Sequence, residues 1–310
     1  MLKIGIIGED ISGRRLSEVI SSYTTCIYSG SYFSNQEQAQ HFLGHFNLPV
    51  FTSYPAFLSS CDAVIVESSA GIDSGYIVEA LKDSKHILLE KPMDWHDEEL
   101  EYLFKLAEEA NTLLQLREPS LYDPVLLAAE PFIHTPAFID YQIGISSDVP
   151  VDKLPDMIQR SLSSCMDTIF HLNRGRVTKH DTVFSPDLFG FPGVIHGRIE
   201  FDNGCIANIT CNGYAEQNKS VCYLYQENRH AILNFLNRRL VIKDRTEEEE
   251  RPKSFIVPLK STDPVVEEIL NFTGMILNKG YHLAAPERYL QSFLLARQMI
   301  ENLPIHEVQV

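Results

Sequence analysis

The sequence predicts an α/β fold in two parts: a doubly wound parallel sheet in the N-terminal part, and a mainly antiparallel open sheet with accompanying helices in the C-terminal part. Three observations predict it. Up to about residue 121 short apolar runs alternate with longer amphipathic ones, the pattern of βαβ units. Beyond residue 122 apolar and polar residues alternate singly over several runs, as in strands with one face solvated. The length of 310 residues exceeds what one hydrophobic core usually organises.

Taken in order, residues 2–7 (Leu-Lys-Ile-Gly-Ile-Ile) form a buried strand and 14–22 a helix. A strand at 25–33 and a helix at 35–46 follow, then a strand at 61–66, a helix at 74–82, a strand at 86–89, a helix at 97–110 and a strand at 113–116. In the second part strands are expected at 137–145, 194–201, 205–211, 221–226, 230–235 and 239–242. Asp202-Asn203-Gly204 joins two of these runs as a tight hairpin, because Asn and Gly accept the positive φ such turns need. Helices are expected at 154–173, 264–277 and, closing the chain, 286–302. The division is placed at 1–121 and 122–310, and the run Glu247-Glu248-Glu249-Glu250 reads as an exposed loop.

Composition excludes several tasks. With 26 bases against 42 acids the formal charge is -16, which repels phosphate backbones and anionic lipid, so neither nucleic acid nor a membrane surface is the expected partner. No run approaches about 18 consecutive apolar residues, and no signal peptide precedes the first strand. The six cysteines lack CxxC spacing and lie in apolar settings, which reads as buried, reduced thiols of a cytoplasmic protein. No paired metal-ligand spacing, hydrolase elbow or phosphate loop occurs, so no metal site is expected.

The chemistry-bearing motifs sit at strand ends. The first strand leads into Gly8-Glu9-Asp10-Ile11-Ser12-Gly13. A dinucleotide-binding turn reads G-x-G-x-x-G, and here Asp10 replaces the second glycine. That replacement adds a Cβ and a negative charge where a pyrophosphate lies. Gly8 and Gly13 keep their packing roles, and Asp10 and Ile11 border the phosphate path; Asp10 can alternatively serve as a helix cap. After the second strand, where an acid normally meets the adenosine ribose, stand Phe33 and Ser34, followed by Asn35. Ser34 can hydrogen-bond a ribose; Phe33 can lie against an adenine or pack at the strand end. A further strand ends in Glu90-Lys91-Pro92, which puts a lysine at the carboxyl edge of a parallel sheet, where ligands of such sheets bind.

With these residues the chain resembles the Gfo/Idh/MocA family of sugar and cyclitol oxidoreductases. The resemblance runs through Lys3-Ile4-Gly5-Ile6-Ile7-Gly8, Pro49 to Tyr54, Cys61-Asp62-Ala63-Val64, Glu90-Lys91-Pro92, Tyr122-Asp123-Pro124, and Ile199 to Asn208. It implies a Rossmann domain holding NAD or NADP through Gly8, Asp10, Ile11, Gly13, Phe33, Ser34, Ser68 and Glu90. It implies hydride transfer at a hydroxyl-bearing carbon of a sugar, sugar nucleotide or cyclitol, with Lys91 assisting the proton. It also implies a homo-oligomer built through the C-terminal sheet.

Departures from the family pattern are several. The family helix motif D-x-x-x-H-x-x-D reads Arg160, Ser164 and Asp167 here, leaving Asp167 as the catalytic acid, with His171 one turn on as a substitute imidazole. The family T-P-x-x-x-H loop reads Ser68-Ser69-Ala70-Gly71-Ile72-Asp73. Together with Asp10 these changes predict weak dinucleotide binding. They keep open a second reading, an eroded member acting as a small-molecule-binding or protein-interaction module.

Overall fold

The protein is described from a computed structural model. The described residues are 1–8, 10–45, 47–67, 72–92, 95–150, 153–185, 193–245, 253–277 and 286–301; within them the side chains of 10–15, 45, 286 and 301 are left aside. Ser68 and the run Glu247–Glu250 lie outside them. The chain divides into two compact units, residues 1–118 with 265–290, and residues 119–264 with 291–310.

In the first unit the elements alternate: β1 (Leu2–Ile7), α1 (Asp10–Ser22), β2 (Cys26–Tyr32), α2 (Gln36–His45), β3 (Val50–Phe51) and α3 (Tyr54–Ser60). There follow β4 (Ala63–Val66), α4 (Ser74–Lys82), β5 (His86–Leu89), α5 (Asp97–Glu109) and β6 (Leu114–Leu116). All the pairings are parallel, in the order β3-β2-β1-β4-β5-β6. The central strands are apolar on both faces because helices cover both. Ala63, Val64, Ile65 and Val66 of β4 are each fully buried. Strand order reverses between β1 and β4, which makes the carboxyl ends of these two strands the place where a sheet of this kind opens a crevice.

Helix α1 begins four residues before the expected start, so Asp10 is its first residue and Gly13 lies in its first turn. The polar stretch Asp10 to Gly13 hides that start from a reading based on apolar spacing. The short β3 and α3 were not expected; a two-residue strand carries no periodicity, and α3 spans seven residues with a proline in its first turn.

The second unit holds α6 (Pro124–Ala129), β7 (Phe138–Ser146), α7 (Leu154–Leu172), β8 (Val177–Phe184), β9 (Val194–Phe201), β10 (Ile206–Ala215) and β11 (Lys219–Tyr225). It continues with β12 (Arg229–Asn234), β13 (Arg239–Asp244) and β14 (Lys253–Val257), and α8 (Pro264–Ile276) and α9 (Pro286–Glu301) close the chain. The sheet order is β14-β13-β12-β11-β7-β10-β9-β8, antiparallel except for the β7–β10 pair. Along β10 every second residue is buried, and α7 covers that face with Ile158, Leu162, Met166 and Ile169. Helix α6 packs against β12 and β13. The β9–β10 hairpin has the expected turn: Gly204 takes φ 83°, and the Asn203 side chain donates to Asn173 Oδ1 at 2.6 Å.

Strands β8 and β14 went unrecognised in the sequence for a physical reason. Both are edge strands with little burial on either face, so no alternation marks them; Val183 and Ile256 are 55% and 60% exposed.

Helix α8 departs from the linear division at 121/122. Ile269 and Phe272 join Leu2, Ile4, Ile6, Leu16, Ile20, Ile65 and Leu88 in one core cluster of the first unit. The chain therefore returns to its N-terminal unit after building most of its C-terminal one.

Candidate active site

At the carboxyl edge of the parallel sheet, β1 ends at Ile7 and α1 begins at Asp10. Gly8 is buried with φ 142°, a conformation that L side chains rarely adopt. The 13-residue helix α1 thus follows β1 at the point where strand order reverses, an arrangement that favours an anion at the helix amino end.

At the end of β2 the aromatic residues are packed rather than presented. Phe33 is 7% exposed, with its ring 5.0 Å from that of Phe42, so it packs at the strand end. Ser34 is exposed, and Asn35 Oδ1 accepts the Glu37 backbone N–H at 2.8 Å, as a cap of α2 does. Tyr32, Tyr54 and Tyr76 form a cluster, with Tyr54 Oη donating to the Tyr76 carbonyl at 2.5 Å. Burial, then Tyr76 and Glu79, push the Tyr32 hydroxyl up to about 12. In the position where the family carries an imidazole, Asp73 caps α4 by accepting the Gly75 N–H at 2.6 Å.

Strands β4, β5 and β6 continue their ladder one residue beyond their ends. The Glu67 N–H donates to Ile7 O, the Glu90 N–H to Val66 O and the Arg117 N–H to Leu89 O. Three charged residues thereby stand side by side at the sheet edge. Arg117 gathers the carboxylates: Nη1 pairs with Glu67 and lies 3.8 Å from Glu90 Oε2, while Nε donates to Glu268 Oε2 at 3.2 Å. Burial alone would lower the Arg117 guanidinium, but Glu268, Glu67 and Glu90 raise it above its usual range, so it stays charged.

Lys91 is 6% exposed, and its Nζ pairs with Glu118 Oε2. The lysine therefore does not merely reach for solvent. Glu268, with no exposed surface, accepts the Glu118 backbone N–H at 2.6 Å. Its burial pushes the carboxyl up to about 7, against the opposing pull of Arg117 and the Glu118 N–H. Arg117, Glu118, Glu67 and Glu268 escaped the sequence reading. Arg117-Glu118 could have been found by inspecting the residues just past the end of each parallel strand; Glu268 is an acid on the same helical stripe as Val265 and Phe272.

The second unit places the other expected catalytic groups. Asp167 of α7 has no exposed surface and accepts from Ser292 Oγ of α9. The carboxylate is thus enclosed within that unit in this structure. His171 Nε2 lies 2.8 Å from Glu130 Oε1, so the Asp167 and His171 side chains have different partners despite their one-turn spacing. Ser164, where the family carries its histidine, donates to Ser120 Oγ at 2.8 Å. Among the described residues no group of three His, Cys, Asp or Glu side chains could hold a metal ion, and no helix is long and apolar enough to cross a membrane.

Residues 2–118 match the oxidoreductase family with an NAD-binding Rossmann fold, Gfo/Idh/MocA. Over those residues the chain is similar to the NAD-binding Rossmann domain of that family. Among curated relatives, this chain is 29% identical over 126 residues to dTDP-3,4-didehydro-2,6-dideoxy-alpha-D-glucose 3-reductase of Actinomadura kijaniata, covering 40% of this chain and 38% of that protein. It is 31% identical over 108 residues to glucose-6-phosphate 3-dehydrogenase of Bacillus subtilis (strain 168), covering 35% of this chain and 31% of that one. The matches thus span less than two fifths of either relative. Over nearly the whole chain the fold is similar to that of UDP-N-acetylglucosamine 3-dehydrogenase GnnA from Acidithiobacillus ferrooxidans, with a TM-score of 0.85, 18% identity and 97% of both chains covered. Biliverdin reductase from Synechocystis sp. PCC 6803, solved with biliverdin and NADP+, gives a TM-score of 0.74 at 16% identity, covering 97% of this chain and 98% of that one. At such identities these likenesses concern the fold alone.

Proposed function

We propose that this chain transfers hydride between a nicotinamide dinucleotide and a hydroxyl-bearing carbon of a sugar or sugar nucleotide, with Lys91 as the side chain that handles the proton. The observation that carries the reading is Lys91 itself, buried at the carboxyl edge of β5 and ion-paired with Glu118.

The dinucleotide fits the first unit in part. Gly8 and the amino end of α1 suit a pyrophosphate, and Ser34 suits a ribose hydroxyl. Asp10, as first residue of the helix, adds a negative charge at that end and weakens the site. When bound, the nicotinamide supplies the hydride acceptor or donor. The chain does the rest. In the oxidising direction the neutral Lys91 amine takes the hydroxyl proton as hydride leaves the carbon, and in the reducing direction the Lys91 ammonium returns that proton to the carbonyl oxygen. Glu118 holds the ammonium in place. Asp167 and His171 are assigned supporting roles within the second unit.

The sugar or sugar-nucleotide class is drawn from the relatives, whose names describe a dTDP-sugar reductase, a glucose-6-phosphate dehydrogenase and a UDP-N-acetylglucosamine dehydrogenase. A non-catalytic binding or interaction module is not favoured by these likenesses. Absorbance at the nicotinamide band, with a panel of nucleoside-diphosphate sugars, hexose phosphates and cyclitols under NAD+ and NADP+, tests the reading. Reduction of the cofactor with at least one sugar supports it; no turnover with any, in either direction, overturns it.

Association of like chains has its own observation. Ile256, Val241, Ile232 and Tyr223 are directly opposite one another across β14, β13, β12 and β11, forming an apolar row across four strands of the sheet. A second copy covering that row would remove it from water. A monomeric sedimentation profile at micromolar concentration would count against this. A cytoplasmic setting, with all six cysteines buried and unpaired, belongs to the same proposal.

A further inference from the structure

We infer that Glu268 is a positioning residue for Lys91: from helix α8 it grips Arg117 and Glu118 at the end of β6, and so fixes the carboxylate that holds the lysine. The inference rests on the role given to Lys91 above.

The geometry supplies the connection. One carboxylate oxygen of Glu268 takes the Glu118 backbone N–H at 2.6 Å and the other takes Arg117 Nε at 3.2 Å. A single side chain thus restrains two consecutive residues, one through its backbone and one through its guanidinium. The Glu118 side chain then extends from that restrained backbone to Lys91 Nζ. Packing does not require an acid at this point. Ile269 and Phe272 bury α8 against the core, with Val265 and Ile276 packed around them. An unpaired buried carboxylate is unfavourable, so the position is tolerated because of the two groups it holds.

Charge connects the same residues. Glu268 faces Arg117 and Glu118 from the end of β6, and beyond the guanidinium stand Glu67 after β4 and Glu90 with Lys91 after β5. These six residues comprise four acids and two bases. Protonating Glu268 removes one negative charge and loosens Arg117, which frees the guanidinium to redistribute among Glu67 and Glu90. The field at Lys91 changes with it, and the carboxyl's rise to about 7 puts that change near neutrality.

Lysine-labelled protein carrying 13C at Cε, with the Lys91 resonance assigned by its loss in Lys91→Met, reads the connection without any turnover. The full chain is titrated without ligand. The expected result is an inflection of the Lys91 signal near pH 7 in the wild type that is absent in Glu268→Gln. Glu118→Gln, which keeps the backbone N–H for Glu268, should reduce the inflection. In turnover, Glu268→Gln should lower kcat about tenfold and flatten its pH profile near 7, leaving KM for NADH within about twofold. An unchanged Lys91 inflection in Glu268→Gln overturns the inference. If that variant does not fold, a wild-type Lys91 signal without an inflection near 7 overturns it equally. An inflection lost in Glu268→Gln in a protein that turns over no sugar leaves the positioning intact and discards the dehydrogenase reading.

Discussion

The Glu268 carboxylate accepts the Glu118 backbone N–H at 2.6 Å across 150 residues of sequence, tying helix α8 to the end of β6. It carries a consequence for stability as a function of pH. The Glu268 carboxyl lies at about 7 when folded against an ordinary value of 4.5, so the folded state holds its proton more tightly. Stability from this group is therefore fully present below about pH 4.5 and is lost as pH rises through about 7. The swing is on the order of 3 kcal/mol for the single carboxyl. Urea unfolding of wild type and Glu268→Gln between pH 5 and 8 checks it: the difference should move in favour of the glutamine variant as pH rises. A difference independent of pH would contradict the assignment.

Helix α8 is expected to be an integral part of the first unit. Phe272, fully buried among Leu2, Ile4 and Ile65, should cost about 3–5 kcal/mol when changed to alanine. Chemical denaturation measures this, and a loss below about 1 kcal/mol would show that α8 contributes little to that core.

The sheets were legible because burial imposes its own pattern. The fully apolar β4 and the alternating β9 and β10 each declare how many faces are covered. The edge strands β8 and β14 were silent because little of either face is covered. Lys91 was legible because Glu-Lys-Pro ends a parallel strand. The contact that holds Glu118 was not, since Glu118 and Glu268 meet only after the chain has built most of the second unit and returned. Phe33 and Asp167 were legible as residue types that suit a ligand, but not their buried contacts with Phe42 and Ser292, which lie far off in sequence or in a neighbouring helix.

Asp10→Gly should tighten NADH binding about tenfold, since it removes a negative charge from the amino end of α1. Isothermal calorimetry on the two proteins checks this. Equal affinities would mean that the turn does not meet the pyrophosphate.

The thiols should be inert in the folded protein. All six cysteines are buried, and burial pushes Cys61 and Cys205 up to about 11 and Cys211 up to about 12. A chromogenic disulfide reagent at pH 8 should label none within minutes and all six after denaturation. Rapid labelling of a native thiol would contradict the enclosure of that residue.

Lys91→Met provides the most direct measurement of the central claim. Turnover is compared with wild type under saturating dinucleotide, using whichever sugar or sugar nucleotide the wild type accepts. Loss of the lysine should lower kcat by about 10²–10⁴-fold with the fold retained, because a positioned proton-handling group contributes on that scale. Turnover within a few-fold of wild type would contradict the assignment of Lys91 as the group that moves the proton.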